Sequence, residues 1–385
     1  MILRGRHFLN GELYDFVLGD GRIQRISSPC HEREVLGGND YWVAPGLIDI
    51  QVNGYEGVAF CSSMVDAAGV ARAADRLASA GVTAFCPTLT TGPLGLLKAS
   101  LAAIDKACST YPSARERIVG IHLEGPYISP QDGPRGAHPL RYVRVPNWSE
   151  FAELQAVAGG RIRLVTIAPE LPGALEFIVR AREAGVVVAI GHHAATRAQI
   201  DAAVAAGATL STHLGNGSHS QLPRHNNYIW EQLAQDALTA SIIVDGHHLP
   251  PAVVKTFYRA KGVNRLILIS DAISAVGMAP GRYKLMDLDV EVGVDGAARL
   301  CGTPYLAGSV LKLCDAIGNV MRFAGVSFAD AVTMATANPA RLLGLDGDRG
   351  CLRIGGRADM AVFRTQCGSY NLALTVVGGE ICHRA

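Results

Sequence analysis

The chain reads as a (β/α)₈ TIM-like barrel carrying a small β-sandwich domain built from both termini. Three observations predict this fold. Short apolar runs alternate with helix-like stretches through the middle of the chain. Several of these runs are nearly continuous in Val, Ile, Leu and Ala, as parallel strands buried on both faces should be. No Gly-x-Gly-x-x-Gly turn follows the first run, which disfavours the main competitor, a doubly wound open sheet.

Residues 1–43 hold alternating segments around the turn signal Gly19-Asp-Gly21, with Arg22-Ile-Gln-Arg-Ile26 beyond it. The barrel opens with Ala44-Pro-Gly-Leu-Ile-Asp-Ile-Gln-Val-Asn53. The alanine-rich stretch 65–80 predicts a helix closed by Gly81 as its C-cap. Further strands are expected at 82–88, 118–124, 162–168, 186–192, 208–213, 239–245 and 266–271. Helices are expected at 93–111, 148–159, 174–184, 196–206, 229–238 and 251–261. Eight strands with helical connections close into a barrel more readily than they lie open. Residues 349–385 contain Ala358-Asp-Met-Ala-Val-Phe363 and Ala373-Leu-Thr-Val-Val377, followed by the turn Gly378-Gly379. Neither end is long enough for a β-domain of its own, so the two are expected to meet. This divides the chain into a barrel of residues 44–345 and a small domain of 1–43 with 346–385.

Composition narrows the function. In 385 residues, 49% are apolar and 18% charged, enough for a large core and too little charge for general disorder. Lys+Arg is 35 against Asp+Glu 34, with no basic stripe, so nucleic acid is excluded as a partner. The apolar stretches fall short of the ~18 residues of a membrane helix. The start Met1-Ile-Leu-Arg-Gly-Arg-His7 lacks the apolar segment of a signal peptide. A cytoplasmic protein without membrane contact is expected. The nine cysteines, at 30, 61, 86, 108, 301, 314, 351, 367 and 382, form no Cys-x-x-Cys pair. They read as small hydrophobes, mostly buried, in a reducing compartment rather than as disulfides or a zinc ribbon.

Nine of the twelve histidines lie between His122 and His248, several at the ends of apolar runs. In a barrel, polar residues at the strand ends face the mouth where active sites lie. Those ends read Glu124, His192, His213, Asp245 with His248, and Asp271. A carboxylate and two imidazoles from three strands make a ligand set for Zn²⁺ or Fe²⁺. A metal there would turn water into a nucleophile near neutral pH. Asp271 could take that water's proton and pass it to a leaving nitrogen. His248 could donate to the developing oxyanion. A single histidine is more often packed or at the surface, and His193, His219, His225 and His247 are read so. A strand-end Asp often only caps a helix. Joint occurrence at one end of successive strands is what favours a metallohydrolase.

These residues resemble the amidohydrolase superfamily, and within it the deacetylases of N-acetylglucosamine-6-phosphate. The first-strand signature Ala44 to Gly54 carries Gln51 and Asn53 where most amidohydrolases have His-x-His. Agreement extends through Pro87-Thr88, Thr90-Thr91, His122-Leu-Glu-Gly-Pro126, Ala168-Pro-Glu170, Gly191-His192, Thr212-His-Leu214, Asp245-Gly-His-His248, Ser270-Asp-Ala272 and the tail Gly356-Arg-Ala-Asp359. The resemblance implies removal of the acetyl group of N-acetylglucosamine-6-phosphate, giving glucosamine-6-phosphate and acetate. It also implies Glu124, His192 and His213 as metal ligands, Asp271 as acid/base, and His248 polarising the acetyl carbonyl. Substrate contacts would come from Ala137-His138, Asn216-Gly217, Asp245, His248 and Leu306-Ala-Gly308. Arg224 matches an arginine that reaches the phosphate in a neighbouring subunit, so a homodimer is implied.

Gln51 and Asn53 are neutral amides, weaker ligands than imidazole. One divalent ion per subunit is therefore expected, with zinc favoured over iron. The departures lie in mouth loops: Gly215-Asn-Gly-Ser218, His225-Asn-Asn227 after Arg224, and Pro134-Arg135 where the family has a basic pair. They leave open another N-acetyl amino sugar, phosphorylated or not. An amidohydrolase for N-acyl amino acids or cyclic amides is a second reading. A catalytically inactive barrel acting as a binding protein is a third.

Overall fold

The computed structural model describes residues 1–29, 34–285, 288–366 and 368–385; Cys30 and Cys367 lie outside the described residues. Eight parallel strands pair in chain order. They are Leu47–Val52 (β1), Val82–Thr90 (β2), Ile121–Glu124 (β3), Ile162–Ile167 (β4), Val187–Ile190 (β5), Ala208–Ser211 (β6), Thr239–Ile242 (β7) and Leu266–Leu268 (β8). The ring closes just beyond β8. There the Asp271 amide donates to the Gln51 carbonyl at 3.0 Å, and the Asn53 amide to the Ala272 carbonyl at 2.7 Å. The last four strands stop two or three residues short of the expected ends.

Helix chemistry follows local rules. Asp66 caps the helix Ala67–Arg76 by accepting from the Gly69 amide at 2.7 Å. A 3₁₀ turn then ends at Gly81, whose φ of 74° needs glycine. Thr196 and Gln199 form a capping box on Arg197–Ala206. Leu313–Ala324, Phe328–Ala335 and Ala337–Leu342, which the apolar-run reading did not anticipate, pack outside the barrel after β8. A three-stranded antiparallel sheet, Gly281–Leu285, Leu288–Val292 and Ala298–Leu300, was likewise not anticipated. Its period-two pattern, Leu288-Asp-Val-Glu-Val292, is visible in the sequence.

The two termini meet as expected. Met360–Gln366 runs antiparallel to Leu36–Pro45, from Met360 opposite Pro45 to Arg364 opposite Tyr41. The small domain is one hydrogen-bonded run of seven strands around its own core, which includes Leu3, Phe16, Ile23, Val43, Met360 and Val376. Asp359 clamps it to the barrel. Its carboxylate accepts from Arg357 Nε at 3.0 Å, from the Gly378 amide at 2.8 Å and from Arg349. Arg349 reaches on to the Glu116 carbonyl and Arg357 to the Glu116 carboxylate. The seven cysteines among the described residues are free; Cys61, Cys86, Cys108 and Cys314 are buried. Among the described residues no helix is long and apolar enough to cross a membrane.

One buried carboxyl inside the barrel carries a pH signature. Asp49 on β1 is fully buried; its Oδ1 accepts from the Gln51 and Ser270 amides at 3.3 Å, and its Oδ2 has no partner. Burial pushes its pKa up to about 7 against hydrogen bonds from Ser270 and Gln51 that pull the other way. A carboxyl with a raised folded-state pKa keeps its proton in the folded state while the unfolded chain has lost it. Stability therefore falls as pH rises from about 4 to about 7 and is flat above, by up to a few kcal/mol. Asp49→Asn removes this ionisation. Its melting temperature is expected to match the wild type at pH 4 and to exceed it by several degrees at pH 8. A difference that does not change between the two pH values would contradict the assignment.

Candidate active site

β3, β5 and β6 bring Glu124, His192 and His213 to one end of the barrel. Glu124 Oε1 lies 3.1 Å from His192 Nε2 and 2.9 Å from His213 Nε2, and the two nitrogens are 3.0 Å apart. All three side chains are buried, with their ligating atoms within 4.8 Å of one another. His192 Nδ1 is 2.8 Å from the Pro134 carbonyl, which can only accept. The ring proton therefore sits on Nδ1, and Nε2 points a lone pair at a carboxylate oxygen and a second imidazole nitrogen. Three electron-rich atoms this close fit a shared cation, and one carboxylate with two imidazoles suits a divalent ion. Burial alone would raise the pKa of Glu124, but the two imidazoles hold it well below the usual carboxylate range.

The backbone around this cluster is unusual. His192, His213 and Asp271 all have positive φ, at 52°, 28° and 51°. His and Asp are among the few residues other than glycine that tolerate this region, at a cost of order 1 kcal/mol each. Two loops press on the His192 ring from their glycines. A Cβ on Gly217 would lie 2.6 Å from Nδ1, and one on Gly136 would lie 3.3 Å from Cε1. His192 is thus held by loops after β3 and β6 as well as by its own strand.

Asp271 follows β8 and is buried. Its Oδ1 accepts from Asn53 Nδ2 at 2.7 Å and from Gln51 Nε2 at 3.2 Å. The same Gln51 nitrogen donates to Glu124 Oε1 at 3.0 Å. Burial and then the charge of Glu124 raise the pKa of Asp271 well above the ordinary carboxylate value. His248 donates from Nδ1 to Asp245 Oδ2 at 2.7 Å, and its amide donates to Asp245 Oδ1 at 2.8 Å. Against the effect of burial, His248 holds Asp245 below its usual pKa. His138 packs its ring 4.4 Å from that of His192, with Nδ1 2.8 Å from Thr91 Oγ1. Burial, then the neighbouring His192, push its pKa down to about 3.

A cavity of about 270 Å³ opens over these groups, with Glu124, His192, His213, His248 and Asp271 on its wall. Ala137 and His138 line one side, Asn216 and Gly217 another. Leu306, Ala307 and Gly308 complete the sequence-derived set that reaches it. Asp245 does not, and neither does Arg224, which is expected at a neighbouring subunit's site rather than at this one. Asp245 lies behind His248 and acts on the cavity through that ring. Arg224 is exposed on the loop after β6, where its carbonyl accepts from Trp230 Nε1 at 3.1 Å. Conversely, Asn53, Leu285, Leu288 and Tyr305 line the cavity without having been expected there. Asn53 was visible only as a missing ligand. Leu285 and Leu288 belong to the unanticipated three-stranded sheet. Two other histidines stand off the cavity: His193 is buried against Tyr228, ring centroids 5.3 Å apart, and His247 is exposed with Nε2 3.0 Å from the Asp295 carbonyl.

Comparison with known proteins adds to this geometry. Residues 42–382 match the model of the amidohydrolase family. N-acetylglucosamine-6-phosphate deacetylase of Bos taurus is 37% identical over 353 residues, covering 88% of this chain and 83% of the relative. N-acetylgalactosamine-6-phosphate deacetylase of Escherichia coli O157:H7 is 36% identical over 320 residues, covering 83% and 82%. Among solved structures, N-acetyl-D-glucosamine-6-phosphate deacetylase of Mycobacterium smegmatis, a mutant in complex with N-acetyl-D-glucosamine-6-phosphate, superposes with a TM-score of 0.87. It is 30% identical and covers 99% of both chains.

Proposed function

The chain belongs to the amidohydrolase family, and from that premise we propose that it is a metal-dependent deacetylase of N-acetylglucosamine-6-phosphate. The reaction adds water across the N-acetyl amide and releases glucosamine-6-phosphate and acetate. The observation that carries this reading is the buried Glu124, His192 and His213 cluster on the wall of a cavity that also holds Asp271 and His248. Relatives with that activity align over most of the chain. We assign the catalytic unit to residues 44–345.

Glu124, His192 and His213 would hold one divalent ion, which when bound supplies Lewis-acid polarisation and acidifies water. Zinc is the ion favoured by the donor set. Asp271 accepts a proton from the attacking water and delivers it to the amide nitrogen as the C–N bond breaks. His248 faces the cavity with Nε2 and hydrogen-bonds the acetyl oxygen as negative charge develops there. The Asp245 carboxylate fixes that ring and compensates its charge when both nitrogens carry protons. Ala137-His138, Asn216-Gly217 and Leu306-Ala-Gly308 shape the sugar site.

Arg224 we assign to the phosphate of substrate in a partner subunit, within a homodimer. Its exposure and its absence from the lining of its own chain's cavity support this. A cytoplasmic setting accords with the seven free cysteines. Arg224→Ala is expected to raise KM for the phosphorylated sugar about 10- to 100-fold, the usual value of a charge-assisted hydrogen bond. KM for free N-acetylglucosamine should stay unchanged. An equal rise for both sugars would contradict phosphate binding.

The alignment with an N-acetylgalactosamine-6-phosphate deacetylase favours one second reading, a change of sugar at the same site. Acetate release from the 6-phosphates of N-acetylglucosamine, N-acetylgalactosamine and N-acetylmannosamine, and from free N-acetylglucosamine, separates the two. Bound metal is quantified on the same sample. Fast turnover of N-acetylglucosamine-6-phosphate alone is expected. A preference for the galacto sugar would shift the specificity assignment, and release from none, with metal bound, would refute the function.

A further inference from the structure

We propose that Asn53 is a positioning residue for the reaction, holding Oδ1 of Asp271 so that Oδ2 alone handles the proton. This rests on the role given to Asp271 above. Oδ1 accepts two N–H groups, from Asn53 at 2.7 Å and Gln51 at 3.2 Å. Among the described residues, Oδ2 accepts none. An oxygen that already accepts two hydrogen bonds is the less basic of the pair, so the free oxygen takes the proton. The proton moves from water to Oδ2 and from Oδ2 to the departing nitrogen, which returns Asp271 to its starting carboxylate.

The orientation of the Asn53 amide is not ambiguous. Turned over, it would place its own oxygen 2.7 Å from the Asp271 carboxylate, which is repulsive. The observed setting leaves Asn53 Oδ1 buried without a partner. An unpaired buried carbonyl is unfavourable, and here it is tolerated to aim the N–H at Asp271. The backbone reinforces the pairing. Asn53 and Asp271 sit on the two strands of chain that close the barrel, joined by the amides of Asn53, Gly54 and Asp271. The donor and the carboxylate are therefore parts of one hydrogen-bonded unit. Gln51 extends it, since its nitrogen spans Asp271 Oδ1 and Glu124 Oε1. Two neutral amides thus orient two neighbouring carboxylates without themselves being ligands.

A residue that acts only through Asp271 should lose its influence when Asp271 can no longer carry a proton. The test is a double-mutant cycle on N-acetylglucosamine-6-phosphate with Asn53→Ala, Asp271→Asn and the pair, reading kcat, KM and bound metal. Asn53→Ala is expected to lower kcat about 10- to 100-fold, part of the whole acid–base contribution. KM should stay within about threefold, as for a group acting on the transition state alone. Metal content should stay at the wild-type level. In the Asp271→Asn background the same substitution should lower kcat by less than about twofold. Should Asn53→Ala fold poorly, Asn53→Asp keeps the shape and replaces the donor by an oxygen; it should lose at least as much kcat with metal retained.

Equal losses in both backgrounds would overturn the proposal, as would wild-type kcat in Asn53→Ala or loss of metal from it. A near wild-type rate in Asp271→Asn alone would instead remove the acid/base reading on which the proposal depends.

Discussion

Asp271→Asn is expected to keep its full complement of metal and to lose about 10²- to 10⁴-fold in kcat, the range typical of a positioned acid–base group. Asparagine has the shape of aspartate, and its oxygen can still accept from Asn53 and Gln51, so the ring closure beyond β8 should survive. What it cannot do is receive a proton and release it again within one turnover. Burial makes the loss severe. Water has little access to a side chain that is only 7% exposed, so solvent is a poor substitute for the missing carboxylate. KM should change little, because the residues proposed to shape the sugar site lie on other walls of the cavity. Parallel measurement of kcat and metal content decides the matter. A variant with near wild-type kcat would remove Asp271 from the reaction, and a metal-free variant would make it a ligand instead.

Glu124→Gln should abolish activity for a different reason. The substitution removes the only negative charge among the three converging groups, leaving two imidazoles and a neutral amide. Loss of a group behind a ligand already costs roughly 10- to 100-fold in metal affinity, so loss of a charged ligand should cost more. Dialysed protein is expected to carry little metal. Its melting temperature should no longer respond to a chelator, whereas the wild type should melt lower once stripped. Retained metal after dialysis, with an undiminished chelator effect, would show that Glu124 is not a ligand. The two variants therefore separate proton transfer from metal binding: one loses rate with metal in place, the other loses both.

How much of this is legible in the sequence depends on how local the physics is. Buried parallel strands announce themselves as apolar runs, and all eight were placed. The polar residue at the end of a run faces the barrel mouth, so Glu124, His192, His213 and Asp271 can be grouped from the sequence alone. The contacts that hold those residues are non-local. Pro134 reaches His192 across 58 positions, and Asn53 reaches Asp271 across 218. No periodicity encodes such pairs. A strand-end Asp three residues before a His, as Asp245 is, can face either the substrate or that ring. Only geometry shows that its carboxylate points at the ring. The three-stranded sheet is hard to read from sequence because its strands are short and interrupt the alternation of strand and helix. Arg224 stands apart: the role proposed for it needs a second subunit, which no single-chain pattern can display.

The left-handed backbone at His192, His213 and Asp271 also restricts which sequences the barrel can explore. Valine, isoleucine and threonine are barred from such positions by their branched side chains, whatever the chemistry around them. A library randomised there and screened only for folded, soluble protein should return glycine and asparagine most often, because both relieve the strain. Screened for turnover, the same library should return the present residues. The distance between those two outcomes would measure, position by position, how far selection for chemistry has held this chain away from its most stable sequence.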